Sequence, residues 1–148
     1  MVNNHSLRIV APDACSIVPT MDKQGQLRDK IANGPVYNLS VAQSELKARK
    51  LFFVTETAAE NQYDIIGGSD LRMFIAALKH PRHYVGSERC KTSQRLTKAP
   101  WQLDADGYAM NWNIDYGAEF SDADEYYVKF GFDDDDPRFL IVSIHESY

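Results

Sequence analysis

The stretch from Glu125 to Ser147 constrains the fold more than any other. It reads EYYVKFGF, then DDDDP, then RFLIVSIHES. Tyr126, Val128, Phe130 and Phe132 alternate with Tyr127, Lys129 and Gly131, the period of a half-buried strand. The second run carries Phe139, Leu140, Ile141, Val142 and Ile144. An antiparallel hairpin is expected. One register sets Val128, Phe130 and Phe132 beside Leu140, Val142 and Ile144, with full burial contributing roughly 1.5–3 kcal/mol per side chain. The other face then carries Tyr127, Lys129, Ser143 and His145, with Phe139 and Ile141 nearer the turn. As an antiparallel sheet face it is either wetted surface or a site. Asp133 to Asp136 repel one another, and Pro137 cannot donate to a ladder, so this run is expected to be a solvated turn. It lacks the alternating oxygen ligands, glycine and distal glutamate of a calcium loop.

The chain has 148 residues, enough for one domain with a real core. No apolar run reaches 18 residues, and the N-terminus lacks the charged and apolar regions of a signal peptide. Cys15 and Cys90 are too few for a disulfide framework, so a cytoplasmic location is expected. The net charge of −5 is unevenly spread. Between Lys79 and Lys98 stand six basic residues and one acid, Glu88; between Asp104 and Asp136 stand eleven acids and one base, Lys129. The basic stretch suits a phosphate backbone and the acidic one a basic partner, unless both are ordinary surface charge. Overall acidity argues against broad nucleic-acid binding.

Residues 1–20 hold two short strand-like runs, Leu7–Val10 and Ser16–Val18, limited by Pro12 and Pro19 to edge strands or an extended arm. Leu27 and Ile31 at i, i+4 suggest a short helix over Asp22–Asn33, weakened by Gly25. Ser40 with Gln43 forms a capping box for a helix over Val41–Lys50. Leu51–Val54 is extended. Leu71, Phe74, Ile75 and Leu78 give an apolar helical stripe over Asp70–His80. Tyr108–Tyr116 reads as a strand. Helices followed by a β-meander imply an α+β fold, with N-terminal helices packed on a C-terminal antiparallel β-meander.

Few residues stand out for chemistry. His80 and His83 flank a proline with no further metal ligand nearby, so no metal is expected. Cys90 lies between Arg89 and Lys91 but has no evident histidine partner. Gly67-Gly68 matches no phosphate-binding loop. Tyr127, Lys129 and His145 supply the groups that metal-free RNA cleavage requires: a base for the 2′-OH, a cation for the phosphate and an acid for the leaving oxygen. Gln102 is a further candidate to orient or donate.

The order of motifs resembles the MqsR family, RelE-like mRNA interferases of bacterial toxin–antitoxin pairs. The matching segments are Pro35-Val-Tyr37-Asn-Leu39, Val54-Thr55-Glu-Thr-Ala58, the region of His83–Ser87, Trp101-Gln102, Tyr127-Val-Lys129 and Ser143-Ile-His145-Glu146. The resemblance covers about residues 35–147. It implies a RelE-like core over 35–148 with 1–34 as an N-terminal extension of a single domain. It also implies metal-independent endoribonuclease activity with no cofactor, RNA as substrate, and a cognate antitoxin as partner. Gln102, Tyr127, Lys129 and His145 become the catalytic set; Arg89, Lys91 and Arg95 hold RNA. The family's terminal lysine falls on His145 and another of its lysines on Val85, and Asp104–Asp124 is a long acidic insert. The rival expectation is a non-enzymatic interaction module, of immunity or regulatory type. Its acidic Asp104–Asp136 surface engages a basic partner, with no membrane.

Overall fold

The computed structural model describes residues 7–55, 57–59, 68–92 and 102–146, with the backbone alone at 68 and 69. Eight strands form one mixed sheet. They are β1 (Ile17–Met21), β2 (Leu27–Ile31), β3 (Leu51–Phe53), β4 (Tyr84–Lys91), β5 (Gln102–Asn113), β6 (Ala118–Glu119), β7 (Glu125–Gly131) and β8 (Phe139–Glu146). Across the sheet the order is β1-β2-β4-β5-β7-β8-β3, and β6 pairs with the end of β5. Among the described residues only β3 beside β8 is parallel. Helix among the described residues includes a 3-10 turn at Pro12–Ala14, two short helices, α1 (Leu39–Ser44) and α2 (Gly68–Ala77), and the helical residues 57–59.

This corrects the expected α+β, RelE-like arrangement of N-terminal helices on a C-terminal β-meander. The molecule is mostly strand, and strands come from both halves of the chain. The segment expected to be helical over Asp22–Asn33 is the turn and second strand of a hairpin. A spacing of four is about one helical turn, but it is also two strand repeats, so Leu27 and Ile31 fit both. Turn chemistry decides. Gly25 takes φ 79°, and Asp22 Oδ1 accepts from the backbone N–H groups of Gln24 (2.9 Å) and Gln26 (2.8 Å). Through β2 and β4 the hairpin joins the common sheet, so residues 17–31 complete the fold. β1 is an edge strand, and Pro19 removes one donor from that edge.

The second helix also differs from expectation. Asn38, not Ser40, caps α1, accepting from the Val41 N–H at 3.2 Å. Gln43 does not close a capping box. Its amide donates to the carbonyls of Ile75 (2.9 Å) and Leu78 (2.9 Å), satisfying the end of α2 and tying the two helices together. The apolar stripe of α2 holds, with Leu71, Phe74, Ile75 and Leu78 buried.

The β7–β8 hairpin exists, but its register carries a bulge. Lys129 faces Ser143 while Phe130 faces Ile141, so Val142 is the extra residue. One inserted residue reverses the alternation beyond it. Phe139 and Ile141 therefore join Val128, Phe130, Phe132 and Ile144 in the main core, under the helices. Leu140 and Val142, expected there, pack instead on the opposite face with Val54, Cys90, Leu103 and Ala105. The turn is only partly solvated as expected. Asp134 and Asp135 are exposed, but Asp136 is buried and accepts from Arg138 Nε (2.9 Å) and Nη2 (2.8 Å). The Arg138 guanidinium in turn covers the Phe52 ring, 3.5 Å from its centroid.

Candidate functional site

The face opposite the helices holds the cluster of interest. Alternation along each strand puts Glu88 and Cys90 of β4, Ala105 and Gly107 of β5, Tyr127 and Lys129 of β7, and Ser143 and His145 of β8 on that side. In register, Glu88 stands beside Ala105, and Gly107 beside Lys129. The small side chains of β5 leave a trough between its two neighbours. Across that trough Lys129 Nζ donates to Glu88 Oε1, both residues being buried. Tyr127 lies over Gly107, where a Cβ would collide with the phenol hydroxyl. The His145 ring stacks on Tyr127 at 5.1 Å with 28° between planes, and His145 Nδ1 donates to the Glu146 carbonyl at 2.7 Å.

An open cleft of about 450 Å³ runs along this face, with Arg28, Thr55, Glu88, Lys129, Ser143 and His145 on its walls. Its electrostatics are inward-looking. Burial alone depresses the Lys129 ammonium, but Cys90, Tyr127 and Glu88 beside it raise it by more, so the lysine keeps its proton. Burial pushes the Cys90 thiol up to about 12, against an opposing pull from Lys129, so it is not a ready nucleophile. Burial likewise raises the Tyr127 phenol. Arg28 donates to Asp22 Oδ2 at 3.0 Å, and Thr55 Oγ1 donates to the Val142 carbonyl at 2.9 Å. Arg28, Thr55, Glu88, Lys129 and His145 along the cleft are thus already partnered within the protein.

Of the residues expected to form an RNA-cleaving site, Tyr127, Lys129 and His145 do come together. Gln102 does not join them. It is exposed at the start of β5, opposite Lys91, and alternation sends both toward the other face. Arg89 and Lys91 both border the cleft on β4, but the Arg89 guanidinium turns that way too. It donates to Asp104 through Nε (2.7 Å) and Nη2 (3.2 Å), and to the Pro12 carbonyl (3.0 Å). Arg95 lies outside the described residues, as does Trp101. Val85, where the family carries a lysine, is exposed on β4. Sequence reasoning missed Glu88 as a partner, although it is the one acid in the basic stretch. Its pairing with Lys129 crosses an intervening strand and 41 residues of chain.

The acidic stretch divides into two populations. Asp104 and Asp106, both buried on β5, serve the interior. Asp104 binds Arg8 (2.8 Å) and Arg89; burial raises its carboxyl, but the two guanidiniums more than offset this and hold it below its ordinary 3.8. Asp106 accepts from the Val36 N–H (2.8 Å), the Tyr37 N–H (2.9 Å) and Ser87 Oγ (2.5 Å). Burial wins over those hydrogen bonds and raises it above 3.8. Glu119 meets His83 Nε2 at 2.8 Å and Arg82 at 3.5 Å. Asp115, Asp122, Asp124 and Glu125 are exposed and enter no salt bridge among the described residues.

No protein-family model, curated protein or solved structure matches the chain. Among the described residues no group of three or more histidine, cysteine or acidic side chains is placed to hold a metal, and no helix is long and apolar enough to cross a membrane.

Proposed function

We propose that this chain is a protein-binding module that engages a basic partner through its acidic outer surface. One observation carries the reading: four exposed acids crowd one short stretch, Asp115 to Glu125, which holds no lysine or arginine. Lys129, Arg8, Arg89 and Arg138 are matched by Glu88, Asp104 and Asp136, while Asp115, Asp122, Asp124 and Glu125 are exposed and enter no salt bridge among the described residues. An uncompensated field of one sign speeds encounter with the opposite sign and disfavours like-charged partners. Selection of a random-sequence peptide library on the immobilised protein tests this. Enrichment of Lys- and Arg-bearing peptides, with affinity falling steeply as salt rises, is the expected result. Enriched peptides with no basic bias reject the reading.

A second reading, metal-independent cleavage of RNA by an mRNA interferase with a cognate antitoxin, is favoured by the meeting of Tyr127, Lys129, Ser143 and His145 beside the cleft. Its obstacle is that Glu88 already occupies the cation needed for the phosphate. Long single-stranded RNA incubated with the protein in EDTA, beside His145→Ala, separates the two. Cleavage lost in the variant supports the nuclease; intact RNA with folded wild-type protein removes it.

A further inference from the structure

The sheet ends in a knob made by β5, β6 and the loop that follows. It is pinned by its own backbone. The Gly117 N–H donates to the Asn113 carbonyl (2.9 Å), and the Tyr116 N–H to Asn113 Oδ1 (3.0 Å). Asn111 Nδ2 donates to the Ala123 carbonyl (2.8 Å), and the Trp112 N–H to that of Asp124 (2.9 Å). Gly117 takes φ 62°, which turns the chain and leaves the space that Met73 of α2 fills; a Cβ there would lie 2.8 Å from Met73 Cε.

Apolar side chains gather on this pinned knob and remain in water. Tyr116 is 75% exposed, Met73 49%, Phe120 38% and Ile114 37%. Tyr116 and Phe120 pack together, with ring centroids 5.5 Å apart. Met73 adjoins them through Gly117. Isolated exposed apolar residues are ordinary, but an adjoining group with two aromatics on a preformed turn is the pattern of a binding surface. Asp115, Asp122, Asp124 and Glu125, all exposed, lie in the same short stretch of chain. Arg82 lies 3.5 Å from Glu119 of β6.

We propose that this knob is the docking site for a Lys/Arg-bearing segment of another protein, with its apolar side chains seated on Tyr116, Phe120 and Met73. The proposal rests on the binding-module reading and gives it a location. Charge complementarity selects the occupant. A cation beside the acids gains Coulomb attraction, and one over the exposed Tyr116 ring gains a cation–π contact. A second copy of this chain fits poorly, because a two-fold contact would set the four acids against their own copies. The pinned backbone lowers the ordering cost of binding.

The test uses the full chain and a basic peptide enriched from the random library. Amide chemical-shift changes in 15N-labelled protein are expected to concentrate on residues 111–125 and Met73. Tyr116→Ala and Phe120→Ala each weaken binding about tenfold, the loss typical of an aromatic anchor. Asp122→Asn with Asp124→Asn flattens the salt dependence but keeps the loss caused by Tyr116→Ala. All these positions are at the surface, and unchanged far-ultraviolet circular dichroism checks each variant's fold. If a basic peptide binds with shifts confined to the Asp134 turn, and Tyr116→Ala binds normally, the knob is rejected while the binding-module reading stands. If no basic peptide is enriched, both fall. If sedimentation shows a dimer that Tyr116→Ala dissociates, the occupant is a second copy and the proposed partner is wrong.

Discussion

The carboxylates of β5 and those of the knob that follows it are near neighbours in sequence and opposites in use. Asp104 and Asp106 are buried among two arginines, two backbone amides and a serine hydroxyl. Asp115, Asp122, Asp124 and Glu125 face solvent. An ionised carboxylate enters an interior only with partners that replace its water. Inside the sheet those partners are drawn from elements distant in sequence. At the knob the backbone satisfies itself, and the acids are left for something outside. A run of negative charge in a sequence therefore says little about surface potential until each carboxylate's partner is known.

The contrast can be broken from the inside out. Glu88→Ala strands the buried Lys129 ammonium and should cost about 3–5 kcal/mol in urea denaturation. Glu88→Leu with Lys129→Met should recover much of that loss; recovery no better than in Glu88→Ala would show that the stranded charge is not the source of the loss. Asp104→Asn should cost about 2–3 kcal/mol at neutral pH, since both guanidiniums lose a charged acceptor. The pH dependence has a definite sign. Asp104's folded value lies below 3.8, so its contribution is complete above 3.8 and is lost as pH falls through the folded value. Asp106 runs the other way. Its folded value is above 3.8, so its contribution is greatest below 3.8 and declines as pH rises through the folded value. Stability curves of wild type and Asp104→Asn should converge in strong acid; a constant gap would separate Asp104 from acid sensitivity. Gly107→Ala drives a Cβ into Tyr127 and should cost about 1–3 kcal/mol, with a changed near-ultraviolet spectrum as the Tyr127–His145 stack shifts. Smallest of all, Asp122→Asn with Asp124→Asn should move stability by less than about 0.5 kcal/mol. A larger loss in thermal denaturation would mean that these acids serve the fold.

What could be read from the sequence was local. Alternation in Tyr126–Phe132 identified β7, and the stripe Leu71, Phe74, Ile75 and Leu78 identified α2. Ambiguity entered where two periods coincide, as at Leu27 and Ile31, and there Asp22 and Gly25 settled the hairpin. The bulge at Val142 has no compositional mark, because any apolar residue in FLIV can be the extra one; it exchanged Leu140 and Val142 for Phe139 and Ile141 in the main core. The candidate site was half legible. Tyr127, Lys129 and His145 share a face because they lie on paired strands at matching parity. Glu88 and Arg28 come from strands whose place across the sheet no spacing within the sequence records. Gln102 shows the converse, a residue grouped with the site by motif order and turned away from it by strand parity.

The single parallel pairing sets a timetable for the nascent chain. β3 is made early, yet among the described residues its only strand partner is β8, and Thr55 reaches Val142 across 87 residues. Until Phe139–Glu146 leaves the ribosome, β3 and the outer side of β7 have no ladder to join. Such distant closure is slow, and it leaves strand edges open while it waits. The protein thus meets its greatest risk of mispairing during synthesis, just before its last described strand closes the sheet.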